Sequence, residues 1–260
     1  MEPSAEKNER HSLGALTRTP DYGARTFRIL PVIGDADSTE SAMILFREAV
    51  ISLGADAGVF ISYLRDDATR SWHRSLFACD PLWASEYARR GWFEHDPWLR
   101  HATHDTEPVR SSELKLTSVD EEAFAAAAAT FGFTSALIAP APSCVGLSRV
   151  GMLCLGSERL GFFDDEGYAK IRVLALALAM ELHRWVLQTL RQELLVKSGL
   201  TPSDIDLLRH EKAGHSSKVI GATLNIEAKT VDCRFQRVNA KLEAPDRRTA
   251  LRIARLYGLL

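Results

Sequence analysis

The run at 227–242, Glu-Ala-Lys-Thr-Val-Asp-Cys-Arg-Phe-Gln-Arg-Val-Asn-Ala-Lys-Leu, has the spacing of a helix with one buried stripe and one working face. At about 100° per residue, Val231, Phe235, Val238 and Leu242 fall on a single line that must meet a core. Lys229, Asp232, Cys233 and Gln236 then point the opposite way, with Thr230 counted alongside them. Arg234 and Lys241 lie along one flank and Arg237 along the other. Hydrogen-bonding side chains facing outward between flanking cations suit a helix that reads base edges while touching phosphates. On a plain helical bundle the same face would simply be solvated.

Working outward, the chain from Leu200 punctuates itself into short helices. Thr201-Pro202-Ser203-Asp204 offers a capping hydroxyl, proline at the first helical position and a carboxylate three residues after the cap. The helix that follows carries Ile205 and Leu208 and stops at Gly214. Ser216 or Ser217 can cap a second helix with Val219, Ile220 and Leu224 on its apolar side. Asn225-Ile226 makes a tight connection into the run at 227–242, and Pro245-Asp246 introduces a fourth helix, about Thr249–Tyr257, that closes near Gly258. Charge follows the same division. From residue 200 onward there are eleven Lys and Arg against seven Asp and Glu, a net of +4, which leaves −6 for the rest of a chain whose net charge is −2. A modestly basic module on an acidic domain fits a polyanion-binding head joined to a sensor or partner domain.

In order and without a gap, Leu200-Thr201-Pro202, Leu208, Gly214, Ser216, Ile220, Leu224, Ile226, Thr230-Val231, Lys241-Leu242 and Gly258-Leu259-Leu260 resemble the LuxR-type helix-turn-helix. Some positions depart from that family. Asp204 replaces the usual glutamate, Val219-Ile220-Gly221 the usual Glu-Ile-Ala, and Glu227 a capping serine or threonine. Asp232 stands where a basic residue is frequent. A carboxylate there favours a cytosine amino group and repels phosphate. The resemblance implies double-stranded DNA, a near-palindromic operator and a homodimer as partners, because one helix-turn-helix reads only a few base pairs.

The remaining sequence alternates. A helix is expected over about Ser38–Leu53, and strands over Gly58–Leu64, Trp72–Ala78, Ser135–Ala139 and Val150–Leu155. A short helix is expected from Asp80, another near Asp120–Phe131 and a long one over about Asp164–Val196. This order predicts an α+β two-domain protein, with an N-terminal α/β/α sandwich around an antiparallel sheet and a C-terminal four-helix helix-turn-helix bundle. The expected boundaries are a flexible tail at 1–26, a domain at 27–195, a linker at 196–200 and the helix-turn-helix at 201–260. In the long helix, Ile171, Leu174, Leu178, Leu182 and Trp185 recur at helical spacing, serving the core or a subunit interface. The final helix is a second interface candidate.

Within the sandwich one segment stands apart: Asp80-Pro81-Leu82-Trp83-Ala84-Ser85-Glu86-Tyr87, then Gly91-Trp92-Phe93-Glu94-His95-Asp96-Pro97. Trp83 and Tyr87 are four apart and share a helix face. Each Asp-Pro reads as a cap followed by proline in the first helical turn. From the residues alone, the aromatics serve either as core or as a binding surface. W-x-x-x-Y followed by Asp-Pro resembles the autoinducer-binding domain that precedes the LuxR-type helix-turn-helix. That resemblance implies an acyl-homoserine lactone as ligand and no catalytic cofactor. It also implies that Trp83 donates to the lactone carbonyl, Tyr87 meets the acyl carbonyl and Asp96 accepts from the amide N–H. Cys154 aligns roughly with a small pocket-lining hydroxyl residue, or else simply packs in the core. Ser111 replaces a second tryptophan of the family and Ala136 a glycine, the first enlarging the expected cavity and the second narrowing it.

Other classes have less support. His95, His101 and His104 cluster in sequence without the cysteine pairs or H-E-x-x-H pattern of a metal site, so no metal is expected. A hydrolase built on His95 and Asp96 lacks a G-x-S-x-G elbow, so no enzyme is expected. Residues 1–22 carry no apolar signal core and no run of about 20 apolar residues is evident. A cytoplasmic location without a membrane is therefore expected, with Cys79, Cys144, Cys154 and Cys233 as free thiols. A regulator answering to a different small molecule, or to none, remains open.

Overall fold

The structure, a computed structural model, describes residues 12–65, 71–143 and 149–260. It divides into two compact units, Met1–Trp185 and Val186–Leu260. The first contains α1 (Leu13–Thr17), α2 (Tyr22–Ile33), α3 (Thr39–Ser52), β1 (Ala57–Arg65), β2 (Ser71–Ala78), α4 (Pro81–Arg90) and α5 (Pro97–His104). It continues through β3 (Val109–Arg110), α6 (Val119–Ala129), β4 (Ser135–Pro142) and β5 (Arg149–Ser157) into α7 (Tyr168–Ser198), which crosses the division.

Five strands form one antiparallel sheet in the order β2-β1-β5-β4-β3. Alternation sorts its residues onto two faces. Val59 and Ile61 of β1, Met152 and Cys154 of β5 and Ala136 and Ile138 of β4 share one face, with α4, α5 and α6 packed on it. On the other face, a methyl on Gly58 would come within 2.5 Å of Val50 in α3, and one on Gly151 within 2.7 Å of His183 in α7. The two glycines let those helices lie close to the sheet. β3 pairs only with Leu137 and Ile138, ending before Pro140 and Pro142, which stay paired with β5 on their other side.

The expected α/β/α sandwich is therefore present, and the expected strands lie within the observed ones. The N-terminus differs. Helices α1 and α2 occupy residues assigned to the flexible tail at 1–26. Ser12 caps α1 through a bond from the Ala15 amide, and Leu13, Tyr22, Thr26, Leu30 and Ile33 are buried. The anchors of α2 are spaced about one to a turn, while Phe27 and Val32 between them are exposed. Cys144 lies outside the described residues, and Cys79, Cys154 and Cys233 are free thiols.

By length and composition α7 would suffice to cross a membrane, contrary to the expectation from the sequence. Its Ile171, Leu174, Leu178 and Leu182 are buried in the first unit, as in a core helix. It runs to Ser198, so the linker expected at 196–200 shortens to Gly199 and Leu200.

The second unit holds α8 (Pro202–Lys212), α9 (Ser217–Leu224), α10 (Ala228–Lys241) and α11 (Arg247–Leu256), the four-helix bundle expected. Its core joins Leu207, Leu208, Ile220, Val231, Phe235, Val238, Leu242, Ala250 and Ala254. Thr201 and Asp204 form a reciprocal capping box at α8. Glu227, in contrast, stands at the N-cap of α10 without a side-chain bond to the helix. Asn225 takes the left-handed conformation that turns α9 into α10.

Candidate functional site

Local chemistry builds the first site from α4 onward. Asp80 accepts from the Leu82 amide at 2.9 Å and Pro81 opens the helix. That registers Trp83 and Tyr87 inward, edge to face with ring centroids 5.8 Å apart. Gly91, left-handed at φ 63°, ends α4 and reverses the chain through a short 3-10 turn, Trp92–Glu94. This reversal returns Asp96 over Tyr87.

Asp96 is 3% exposed and serves two structures at once. Its Oδ1 accepts from the Trp98 and Leu99 amides at 2.8 and 3.1 Å, capping α5. Its Oδ2 accepts from the Tyr87 hydroxyl at 2.8 Å. Burial pushes the carboxyl up to about 6, against the lowering effect of those three hydrogen bonds, and Glu121 adds a little more. Burial also raises Tyr87 and Cys154 well above their ordinary values, so both remain protonated donors.

Cys154 is fully buried on the same sheet face and in the same cluster as Trp83, Tyr87 and Asp96's neighbour Trp98. The sequence reading placed Trp83, Tyr87 and Cys154 in their cluster but missed most of its wall. Phe124, Phe131 and Phe133 surround Trp83 at centroid distances of 5.7, 5.3 and 6.1 Å, and Trp98 stands 4.8 Å from Phe124. One signal was available: Phe124 is the single large side chain in the run Ala123–Ala129. Ser111 and Ala136, the two departures from the family pattern, touch each other, since the Ala136 amide donates to Ser111 Oγ at 3.0 Å.

The histidines do not assemble a centre. His95 faces Asp120 at 3.8 Å rather than Asp96, which leaves a His95–Asp96 hydrolase without its dyad. His101 Nε2 lies 2.8 Å from the Glu107 carbonyl and His104 Nδ1 2.8 Å from that of Arg100. Among the described residues no group of three His, Cys, Asp or Glu could hold a metal ion.

On α10 the helix faces fall where the periodicity put them. Val231, Phe235, Val238 and Leu242 are buried, while Lys229, Thr230, Asp232, Cys233, Gln236 and Arg237 are exposed and Arg234 half-buried. Two charged residues turn out to be engaged. Lys241 Nζ donates to Asp204 Oδ2 at 2.6 Å and to the Gly199 carbonyl at 2.9 Å, which ties α10 to the start of α8. Partial burial alone would raise Asp204, yet bonds from Lys241 and Thr201 hold its carboxyl below the ordinary range. Asp232 accepts from Ser217 and Arg247, residues that the sequence did not connect to it.

The family model described as the autoinducer binding domain matches residues 38–185. No curated protein matches significantly. Among solved structures, Escherichia coli SdiA is similar at 18% identity and a TM-score of 0.67, the match covering 92% of this chain and 99% of that one. SdiA in complex with octanoyl-rac-glycerol is similar at 15% identity and a TM-score of 0.64, covering 93% and 98%. CepR2 of Burkholderia cenocepacia, an N-acylhomoserine lactone dependent LuxR family transcription factor, is similar at 17% identity and a TM-score of 0.54, over 64% of this chain and 95% of that one. At these identities the likeness is one of fold.

Proposed function

The chain belongs to the autoinducer-binding-domain family, and from that premise we propose that it is a ligand-responsive transcription regulator of the LuxR type, acting in the cytoplasm. Its first unit binds an acyl-homoserine lactone. Its second unit binds near-palindromic promoter DNA as part of a homodimer. The observation that carries the ligand reading is the buried Tyr87–Asp96 pair, 2.8 Å apart beside Trp83 in an aromatic cluster. A neutral amphiphile needs an apolar surround with a few convergent polar groups. Trp83 donates to the lactone carbonyl, Tyr87 turns its single O–H from Asp96 to the acyl carbonyl, and the Asp96 oxygen so freed accepts from the amide N–H. Cys154 lines the same surround. Perturbed carboxyls gather at functional sites, and burial raises this one while it also caps α5.

A second reading keeps the site and changes the ligand. SdiA binds octanoyl-rac-glycerol in one solved structure, and a monoacylglycerol presents a carbonyl and hydroxyls to the same kind of groups. Melting the purified protein against lactones of short, medium and long acyl chain, with octanoyl glycerol in parallel, separates the two. Stabilisation by a lactone that is lost in Tyr87→Phe supports the first. Response to octanoyl glycerol alone moves the assignment to the second, and no response to either removes both.

A further inference from the structure

Asp232 sits in the second turn of α10 with its side chain 53% exposed, between Lys229 and Gln236 on the outward face. A lone carboxylate there would oppose DNA. It is not alone. Ser217 Oγ, at the start of α9, donates to Asp232 Oδ1 at 2.6 Å, and the Arg247 guanidinium, at the start of α11, pairs with the same oxygen. Arg247 Nη1 also donates to Ser217 Oγ at 2.9 Å. The guanidinium is fixed from beneath as well, its carbon 4.0 Å from the centroid of the buried Phe235 ring. Three helices thus meet at one carboxylate oxygen, while Oδ2 takes no hydrogen bond among the described residues.

We propose that Ser217 and Arg247 are positioning residues that make Asp232 a fixed, charge-compensated acceptor, and that its free oxygen selects cytosine at one position of each operator half-site. The inference rests on the DNA-binding role proposed above. Cytosine presents its N4 amino group in the major groove with no acceptor on the same base beside it there. Adenine flanks its amino group with N7, while guanine and thymine present acceptors that a carboxylate repels. A stacked, hydrogen-bonded arginine offsets the carboxylate's repulsion of the phosphates without leaving its place. Hydrogen bonds from Ser217 and then Arg247 hold the Asp232 carboxyl below its ordinary range, so it remains an acceptor.

The test is selection from a randomised duplex pool by the full chain, with a mixed acyl-homoserine lactone pool present. The wild type is expected to enrich one cytosine per half-site by roughly tenfold, the scale of a good base contact. Asp232→Asn, nearly isosteric, is expected to move that position to adenine, whose N6 and N7 suit an amide. Ser217→Ala and Arg247→Gln are expected to weaken the cytosine preference while flanking positions hold, and Arg247→Lys to restore part of it. An enriched motif that Asp232→Asn leaves unchanged, or an affinity that falls equally for all sequences, overturns the proposal alone. A wild type that enriches nothing overturns the DNA-binding reading as well.

Discussion

A carboxylate buried in an aromatic cluster is costly, and Asp96 makes that cost measurable. Its folded-state value of about 6 stands above the ordinary 3.8. Below about pH 3 the group is protonated in both folded and unfolded chains. As pH rises toward 6 the unfolded chain releases its proton first, so stability falls through that window and levels off above it, by about 3 kcal/mol in all. Asp96→Asn should flatten this decline, because an amide oxygen still caps α5 without becoming charged. Denaturant midpoints measured from pH 4 to pH 7 in both proteins check it, and parallel curves would remove Asp96 as the cause. Replacing Tyr87 with Phe deletes the bond to Oδ2 and should destabilise the protein by about 1–3 kcal/mol at neutral pH.

Among elements, α10 and its flanks separate scaffold from contact. The sequence assigned both Lys241 and Arg237 to DNA, but Lys241 is held by Asp204 and Gly199 whereas Arg237 is exposed. Lys241→Ala should therefore lower stability by about 1–3 kcal/mol while sparing the salt dependence of DNA binding. Arg237→Ala should reduce that slope by about one unit and leave the melting temperature in place. Titrations at several salt concentrations distinguish them, and identical behaviour would contradict the assignment. After α10, Glu243 adopts φ 53°, a region that disfavours residues with a Cβ. Glu243→Gly should raise the unfolding free energy by about 0.5–1 kcal/mol in chemical denaturation.

These elements also mark how far sequence alone reaches. The strands, α4 and α10 were legible because alternation and four-residue spacing are local properties of Val59–Leu64, Trp83–Tyr87 and Val231–Leu242. α2 was not, for its buried Tyr22, Thr26 and Leu30 are sparse and Pro31 interrupts its end. The pairing of Asp232 with Arg247 and the wall formed by Phe124 and Phe133 join residues on different elements, which no periodicity records.

At the scale of the whole molecule, each unit has its own buried core residues, and a ligand bound in one unit acts on that unit first. All five tryptophans lie within residues 1–185, so tryptophan fluorescence, excited selectively at long wavelength, reports that unit. A lactone at a hundred times its dissociation constant should stabilise it by about 2.7 kcal/mol and raise the fluorescence melt accordingly. A fluorescence midpoint unmoved by every lactone would place the ligand elsewhere. The double duty of Asp96 reaches past this chain to its descendants. A chain that stopped answering to any signal would still need a side-chain oxygen at position 96, whether of aspartate or asparagine, to cap α5. A capping oxygen at that position therefore speaks for an intact α5 before it speaks for a bound signal.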